Sequence, residues 1–197
     1  MKLFKEMKQG AISIILIVII AIVAVLAIAG IGTYNSIVSA DQNVKTQLGN
    51  IDTMLQRRAD LIPNLVNSVK GYMEHENEAI EMVTKAREAM VNAGSTEEKL
   101  AANDQLTTSL GRLFAIAENY PDLKASETFL SLMDELSASE NRISTARHDY
   151  NDAAKAYNTK IKQFPGNLVA GFGHFEEAKY FEADESAKEV PVVDFSE

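Results

Sequence analysis

The hydrophobic and polar positions divide the chain into one unbroken apolar run and a long region in which apolar residues recur every three or four positions. From Ala11 to Ile31 every residue is apolar except Ser13 and Gly30. About twenty helical residues, at about 1.5 Å of rise each, cross a hydrocarbon core roughly 30 Å thick. The run predicts a transmembrane helix over residues 10–33, preceded by a short basic segment, residues 1–9.

The charges on either side of the apolar run indicate an orientation. Lys2, Lys5 and Lys8 stand before it against a single Glu6, and the other side carries no charge until Asp41. Short flanking segments rich in lysine tend to stay in the cytoplasm. We therefore expect a single-pass protein of the cell membrane, with its N-terminus in the cytoplasm and its C-terminal domain outside.

A cleaved secretory signal is the alternative interpretation of the same run. Ala27-Ile28-Ala29 has the small-x-small form of a cleavage site. The run is longer than the usual signal core and contains no helix-breaking residue before this triplet, which favours a retained anchor. The chain has no cysteine, so it has neither a lipidated-cysteine anchor nor a disulfide.

The region beyond the run predicts helices. Its apolar residues follow alternating three- and four-residue steps, which place them on one face of a helix, and no stretch alternates like a strand. Turn signals divide it at residues 92–95, at Tyr120-Pro121 and at Phe164-Pro165-Gly166. We predict a helical bundle over residues 34–173, with helices at about 34–60, 61–93, 96–118 and 121–163, and then an acidic tail, residues 174–197.

The first reversal of the bundle is predicted near Asp60 to Pro63. Pro63 has no N–H and its ring crowds the carbonyl of Ala59, so a helix kinks or ends there. A reversal at this point gives four helices whose apolar faces all point inward. The predicted fold is all-α: an N-terminal transmembrane helix followed by an antiparallel up-and-down four-helix bundle with long helices. A kinked long helix, covered in an oligomer, is the alternative.

Several charged residues fall on the apolar faces or near the predicted turns. The spacing predicts that Arg87 pairs with Glu140 and that Arg58 meets Glu118. We interpret the whole set as buried ion pairs that fix helix register, where losing one partner typically costs about 3–5 kcal/mol. A polar binding site inside the bundle is the alternative. The set consists of Arg58, Glu76, Arg87, Glu118, Glu140 and Arg147.

Composition and spacing argue against catalysis and against nucleic-acid binding. The chain has a net charge of −9, and its first 33 residues carry three lysines and one glutamate, so the remainder carries −11. An acidic domain without a basic cluster does not suit nucleic acid. No Glu-x-x-His pair, His-Glu-x-x-His run or phosphate-binding loop is present. We predict no catalytic residue, no metal site and no cofactor.

The last part of the chain has two segments of different character. Residues 164–175 are rich in aromatics and glycine and suit either a closure of the bundle end or an apolar surface that enters the membrane interface. Glu176 to Glu197 holds eight acids and two lysines, with an extended pattern at 190–195. This tail is either a disordered segment that binds a partner or a strap along its own bundle.

Several motifs in a fixed order resemble the LemA family of bacterial membrane proteins. YNSIV follows the apolar run directly, and the others are RRADLIPNLVNSVKGYMEHE (57–76), AENYPDLKA (117–125), ENRISTARHDYN (140–151) and YNTKIKQFPGNLVAG (157–171). The resemblance implies an anchor followed by a helical bundle, with no established enzymatic activity. It also implies a link to membrane proteostasis, because relatives are often encoded near membrane metallopeptidases.

These observations predict a scaffold or adaptor at the cell membrane that works through protein contacts and is not an enzyme. The alternative is a non-catalytic regulator, or a substrate-presenting partner, of a membrane metallopeptidase in envelope proteostasis or stress response. The expected partners are the lipid bilayer, an unidentified protein such as a membrane peptidase, and further copies of the chain in a homo-oligomer.

Overall fold

The computed structural model describes residues 2–73 and 75–182, with side chains from residue 16 onward. Six helices make up this part of the chain, and it contains no strand. The predicted all-α class is confirmed. The helices are α1 (Lys2–Lys70), α2 (Asn77–Asn92), α3 (Thr96–Ala117), α4 (Pro121–Lys124), α5 (Glu127–Lys162) and α6 (Gly166–Gly173).

The apolar run lies within α1, which is 69 residues long. Among the described residues, α1 is the one helix long and apolar enough to cross a membrane. No residue of its most apolar part is buried in the protein; the side chain of Ile28, for example, is 71 % exposed. A core helix of a soluble protein would be covered by its neighbours, so this exposure is typical of a helix that contacts lipid.

The predicted reversal near Asp60 to Pro63 is wrong. α1 continues through Pro63 without a break and ends at Lys70. The chain first turns between Lys70 and Asn77, so the predicted boundary at 60 and 61 is replaced by the end of α1 and the start of α2. The predicted end near residue 93 agrees with Asn92, the last residue of α2.

The physical reason lies in the carbonyl that Pro63 leaves without a helical donor. That group is the carbonyl of Ala59, four residues earlier, and it accepts a hydrogen bond from Arg87 Nε at 3.0 Å. A polar group inside a protein needs a partner, and here a side chain of α2 supplies it. Pro63 is therefore accommodated within α1 instead of ending it.

The later helices agree more closely with their predicted boundaries. Ser95 caps α3 by accepting from the N–H of Glu98 (3.2 Å), and the Glu98 side chain accepts from the N–H of Gly94 (2.8 Å). This reciprocal pair sets the start of α3, because it satisfies one amide of the first turn and the amide of Gly94 just before the cap. The fourth predicted helix begins with a single separate turn, α4, and α5 then runs from Glu127 to Lys162.

The folded region divides into two compact units. The anchor unit contains the chain up to Val44 together with Ala153–Lys179. The bundle unit contains Lys45–Asp152 together with residues 180–182, the last of the described tail.

Polar contacts give the directions of the first three helices in the bundle unit. Asp52 of α1 accepts from Thr96 and Lys99 at the start of α3, each at 3.1 Å. Tyr120, beyond the end of α3, donates to Glu76, between α1 and α2, at 3.2 Å. α3 therefore runs alongside α1 in the same direction, and α2 returns in the opposite direction.

The first part of α5 runs antiparallel to α1. Glu127 and Thr128 line a surface groove with Asn67 and Ser68 near the end of α1, and further along α5, Glu140 meets Arg58. The predicted up-and-down four-helix arrangement is confirmed, with its first turn later than expected. Its core side chains are at most 2 % exposed and include Ile51, Leu55, Ile62, Leu65, Val69, Val83, Leu106, Leu113, Phe129, Leu136 and Ile143.

The anchor unit has a small core of its own. Its buried apolar side chains are Ile37, Val44, Ala153, Ala154, Tyr157, Ile161 and Ala170. Gly166 is required where α6 begins, because a Cβ there would lie 2.0 Å from the carbonyl oxygen of Lys160. The ammonium of Lys160 in turn donates to Ser36 Oγ at 2.8 Å. The close approach at Gly166 places α6 against the end of α5, and the bond from Lys160 joins α5 to α1. The extended pattern predicted at 190–195 lies outside the described residues.

Candidate functional site

The polar centre of the bundle unit is built around Arg58 on α1, whose side chain is only 3 % exposed. Its Nη1 donates to three acceptors: Asn103 Oδ1 and Thr107 Oγ1 on α3, the latter at 3.0 Å, and Glu140 Oε2 on α5. Asn103 is buried, whereas the side chain of Glu140 is 39 % exposed. One guanidinium thus joins three helices.

The electrostatics of this cluster favour a structural role. Burial lowers the pKa of Arg58, while the negative charges of Glu140 and Asp104 oppose that shift. An arginine keeps its proton at any physiological pH, so this group cannot exchange protons as a general acid or base would. Its Nε is buried and has no hydrogen-bond partner among the described residues.

Neither predicted ion pair is present. The Arg87–Glu140 pairing is wrong, because Arg87 bonds to the Ala59 carbonyl and Glu140 to Arg58. The Arg58–Glu118 pairing is also wrong, because Glu118 is exposed and pairs with Lys124. Sequence spacing assigned these charges to the correct helices but to the wrong levels along the bundle axis, because the first turn of the bundle lies later than predicted.

The two remaining predicted charges bond to other kinds of partner. Glu76 accepts from the hydroxyl of Tyr120, whose pKa is raised by burial and by this carboxylate. Arg147 donates to the carbonyl of Glu182 at 3.0 Å. Of the six charged residues singled out in the sequence, only Arg58 is buried.

A second polar feature is formed by two asparagines of α5, which bind the tail by both donating and accepting through their side-chain amides. In the anchor unit, Asn158 donates to the carbonyl of Ala178 (2.8 Å) and accepts from its N–H (2.9 Å). The hydroxyl of Tyr157 donates to the carbonyl of Glu176 at 2.8 Å. Asn158 is only 4 % exposed.

The bundle unit contains the same device. Asn151 donates to the carbonyl of Phe181 (2.8 Å) and accepts from its N–H (2.9 Å). The rings of Tyr150 and Phe181 pack with centroids 4.6 Å apart. The repeated dipeptide Tyr-Asn at 150 and 157 is the sequence signal that identifies both positions in retrospect. The described part of the tail therefore lies along α5 as a strap.

The described residues hold no group of three or more His, Cys, Asp or Glu side chains placed to bind a metal ion. The groove near the end of α1 is lined by polar side chains of α1 and α5, among them Asn64, Glu127 and Glu135, together with Leu132. This groove is open to solvent and has no histidine in its lining. Its polar lining can form hydrogen bonds and ion pairs.

Comparison with known proteins agrees with the family that the motifs suggested. The profile of the LemA family matches residues 47–195. The protein LemA of Metamycoplasma hominis is 28 % identical over 141 residues, covering 71 % of this chain and 64 % of that protein. The resemblance to this family is confirmed.

Two further relatives are named as magnetosome proteins. MamQ 2 of Paramagnetospirillum magneticum is 28 % identical over 186 residues, covering 81 % of this chain and 68 % of its own. MamQ of Magnetospirillum gryphiswaldense is 23 % identical over 215 residues, covering 96 % of this chain and 79 % of its own.

Proposed function

Because the chain belongs to the LemA family and carries a helix able to cross a membrane, we propose that it is a membrane-anchored scaffold or adaptor that acts through protein contacts and catalyses no reaction. The observation that carries this proposal is how the polar groups inside the bundle unit are used. Arg58 and Arg87 bond to neighbouring helices, so their charges stabilise the fold. We therefore assign the function to the outer surface of the bundle unit.

The outer surface of the bundle unit offers several apolar side chains for such contacts. Tyr72, Val91 and Leu130 are 44 %, 42 % and 48 % exposed. Single exposed apolar residues are normal in proteins. They are nonetheless suitable positions from which to detect a partner, because each can be replaced without disturbing the core.

Site-specific photo-crosslinking in living cells tests the proposal. A photoreactive amino acid at position 72, 91 or 130 should give discrete crosslinked species that contain protein, and the same amino acid in place of Lys155, an exposed residue of the anchor unit, provides a matched position. Crosslinks to one protein, recovered from more than one position, would support an adaptor. Crosslinks between differently tagged copies of this chain would support a scaffold that self-associates. Products containing lipid alone would contradict both.

For orientation, we propose that the segment before the apolar run stays in the cytoplasm and that the folded region lies outside. The support is the lysine excess on that side of the run. Protease added to intact cells should then digest the folded region, with lysed cells as the control. Protection until lysis would overturn this orientation and would place the partners of the bundle unit in the cytoplasm.

The second candidate function is partnership with a membrane metallopeptidase. Its support is the acidic segment that follows Glu182, the last described residue of the tail. Co-purification of the full chain and of a chain ending at Glu182 separates the candidates. Loss of one peptidase on truncation, with self-association retained, would favour the regulator. Equal recovery from both chains would argue against a role of this segment.

A further inference from the structure

The anchor unit exposes a compact set of large apolar side chains around α6. Phe164 is 80 % exposed, Leu168 57 % and Phe172 90 %. They follow one another at four-residue intervals, and in α6 residues at this spacing share a face. No charged residue occurs from Gln163 to Gly173. Soluble surfaces seldom cluster large apolar side chains in this way without a partner.

Two small residues of the same segment face inward. Gly166 and Ala170 are buried, and the start of α6 lies so close to the end of α5 that no side chain fits at Gly166. Closing the end of the helices therefore uses the small face of α6 and leaves the large one uncovered. Closure accounts for Gly166 and Ala170 but not for the two phenylalanines.

The neighbours of this segment on α1 identify what covers the large face. Phe164, Pro165 and Gly166 line one groove together with Ala29 and Gly32. These last two residues are at the end of the apolar run, whose length of about twenty residues at about 1.5 Å each matches a hydrocarbon core roughly 30 Å thick. If α1 crosses the membrane, the beginning of α6 lies at the depth of the membrane interface.

We propose that α6 and Phe164 form a membrane-interface surface, in which Phe164, Leu168 and Phe172 insert into the same leaflet that α1 leaves. The partner is the lipid interface, where aromatic and aliphatic side chains bind by burying apolar area. Lys160, bonded to Ser36, lies beside the groove and can keep its charge at the headgroup level. This proposal rests on the membrane anchoring proposed above and adds a second membrane contact to it.

The chain has no tryptophan, so a single introduced tryptophan reports its own surroundings without background. The full chain carrying Phe172→Trp, reconstituted in phosphatidylcholine vesicles, should show a blue-shifted emission and should lose intensity when lipids brominated near the headgroup end of the acyl chain are used. Phe164→Trp should behave in the same way. Circular dichroism verifies that each variant is folded.

Two matched variants on α1 separate failure of this proposal from failure of the anchor. Ile22→Trp, inside the apolar run, should be quenched by lipids brominated deep in the chain. Asn43→Trp lies twelve residues beyond Ile31, about 18 Å further along the helix, and should be neither shifted nor quenched. If Ile22→Trp is not quenched, α1 does not span the bilayer and the anchoring itself is wrong.

The proposal is overturned if Ile22→Trp is quenched while Phe172→Trp emits like Asn43→Trp. It is also overturned if the emission of Phe172→Trp is blue-shifted without quenching by lipid and the shift grows with protein density in the vesicle. In that case a second copy of the chain covers the apolar face of α6.

Discussion

Arg87 donates its Nε proton to the carbonyl oxygen of Ala59 over 3.0 Å, across 28 residues of sequence. In a regular α-helix that oxygen accepts from the N–H four residues later, but residue 63 is a proline and has none. A side chain of α2 thus completes the hydrogen bonding of α1. This contact explains how one helix passes through a proline and continues to Lys70.

The Arg87 contact should matter only while residue 63 is proline. Arg87→Met removes the donor, keeps most of the apolar stem, and should lower the free energy of unfolding by about 1–2 kcal/mol, because the carbonyl loses its partner. In a Pro63→Ala chain the alanine N–H can bond to Ala59, so the same change should cost much less. Thermal unfolding of the four variants in detergent, followed by circular dichroism, completes the double-mutant cycle.

Arg142 is an exposed arginine of α5 and provides the control for this cycle. Arg142→Met should change stability little, and by the same amount with either residue at position 63. If Arg87→Met costs the same in both backgrounds, its bond to Ala59 does not compensate for the proline.

Removing Glu140 and removing Arg58 from their ion pair should lower the free energy of unfolding by different amounts. Glu140→Ala leaves the guanidinium of Arg58 buried with only neutral acceptors, and should destabilise the bundle by about 3 kcal/mol. Arg58→Met leaves a carboxylate that is 39 % exposed and that water can reach, so we expect about 1–2 kcal/mol. The free energy of unfolding measured for both variants shows which change destabilises more. If Arg58→Met destabilises more than Glu140→Ala, burial of the Arg58 charge does not determine the cost.

Removing one asparagine amide should free the tail residue that it holds. In Asn158→Ala, the N–H and the carbonyl of Ala178 both lose their partner. Because each net hydrogen bond contributes about 1 kcal/mol, amide exchange at Ala178 should accelerate by about fivefold if one bond controls it and by about thirtyfold if both do. Hydrogen exchange read by mass spectrometry on peptides covering residues 174–182 measures this.

Asn141 lies on the same helix, is exposed, and makes no such contact with the described part of the tail through its side chain. Asn141→Ala should leave exchange in the tail unchanged. Unchanged exchange in Asn158→Ala as well would mean that the amide bonds add nothing to the attachment of the tail.

The buried tyrosines should make stability fall in alkaline solution. Burial, together with Asp41 and Glu176, raises the pKa of Tyr157, and burial together with Glu97 raises the pKa of Tyr150. Below the ordinary value of about 10 both phenols are protonated whether the chain is folded or unfolded, so this stability is fully present. Above it, the unfolded chain ionises first, and stability is lost as pH rises toward the folded pKa.

Melting temperatures measured from pH 8 to about pH 11 test this relation. Tyr157→Phe should be less stable at neutral pH, because it loses the bond to Glu176, yet should lose less stability above about pH 10. The slope of the alkaline limb, and not the absolute stability, is therefore the diagnostic quantity. A slope identical to that of the unchanged chain would exclude Tyr157 as its source.

The sequence predicted those features that depend on neighbouring residues. The apolar run identified α1, since every residue that meets lipid must be apolar. The Gly-Ser-Thr-Glu-Glu segment identified the start of α3 within one residue, because a cap is made by groups three or four positions apart. The Tyr-Asn pairs were visible too, but their partners lie in a tail whose course no local pattern reveals.

The charged residues show the limit of such predictions. Their positions on the apolar faces were visible from periodicity, whereas their partners depend on where each helix turns. The turn lies between Lys70 and Asn77 and not at residues 60–63, so Arg58 and Arg87 have other neighbours than the predicted ones.

By itself the sequence determined the helical class, the membrane-spanning length and the antiparallel order of four helices, because periodicity and helix length depend only on residues near one another in the chain. Only the tertiary structure decided that α1 passes through Pro63, that Arg58 joins three helices and that the large face of α6 is uncovered. Each of these depends on which residues from distant parts of the chain lie beside one another in the fold. The donor that completes α1 at Ala59, for example, belongs to a residue 28 positions away.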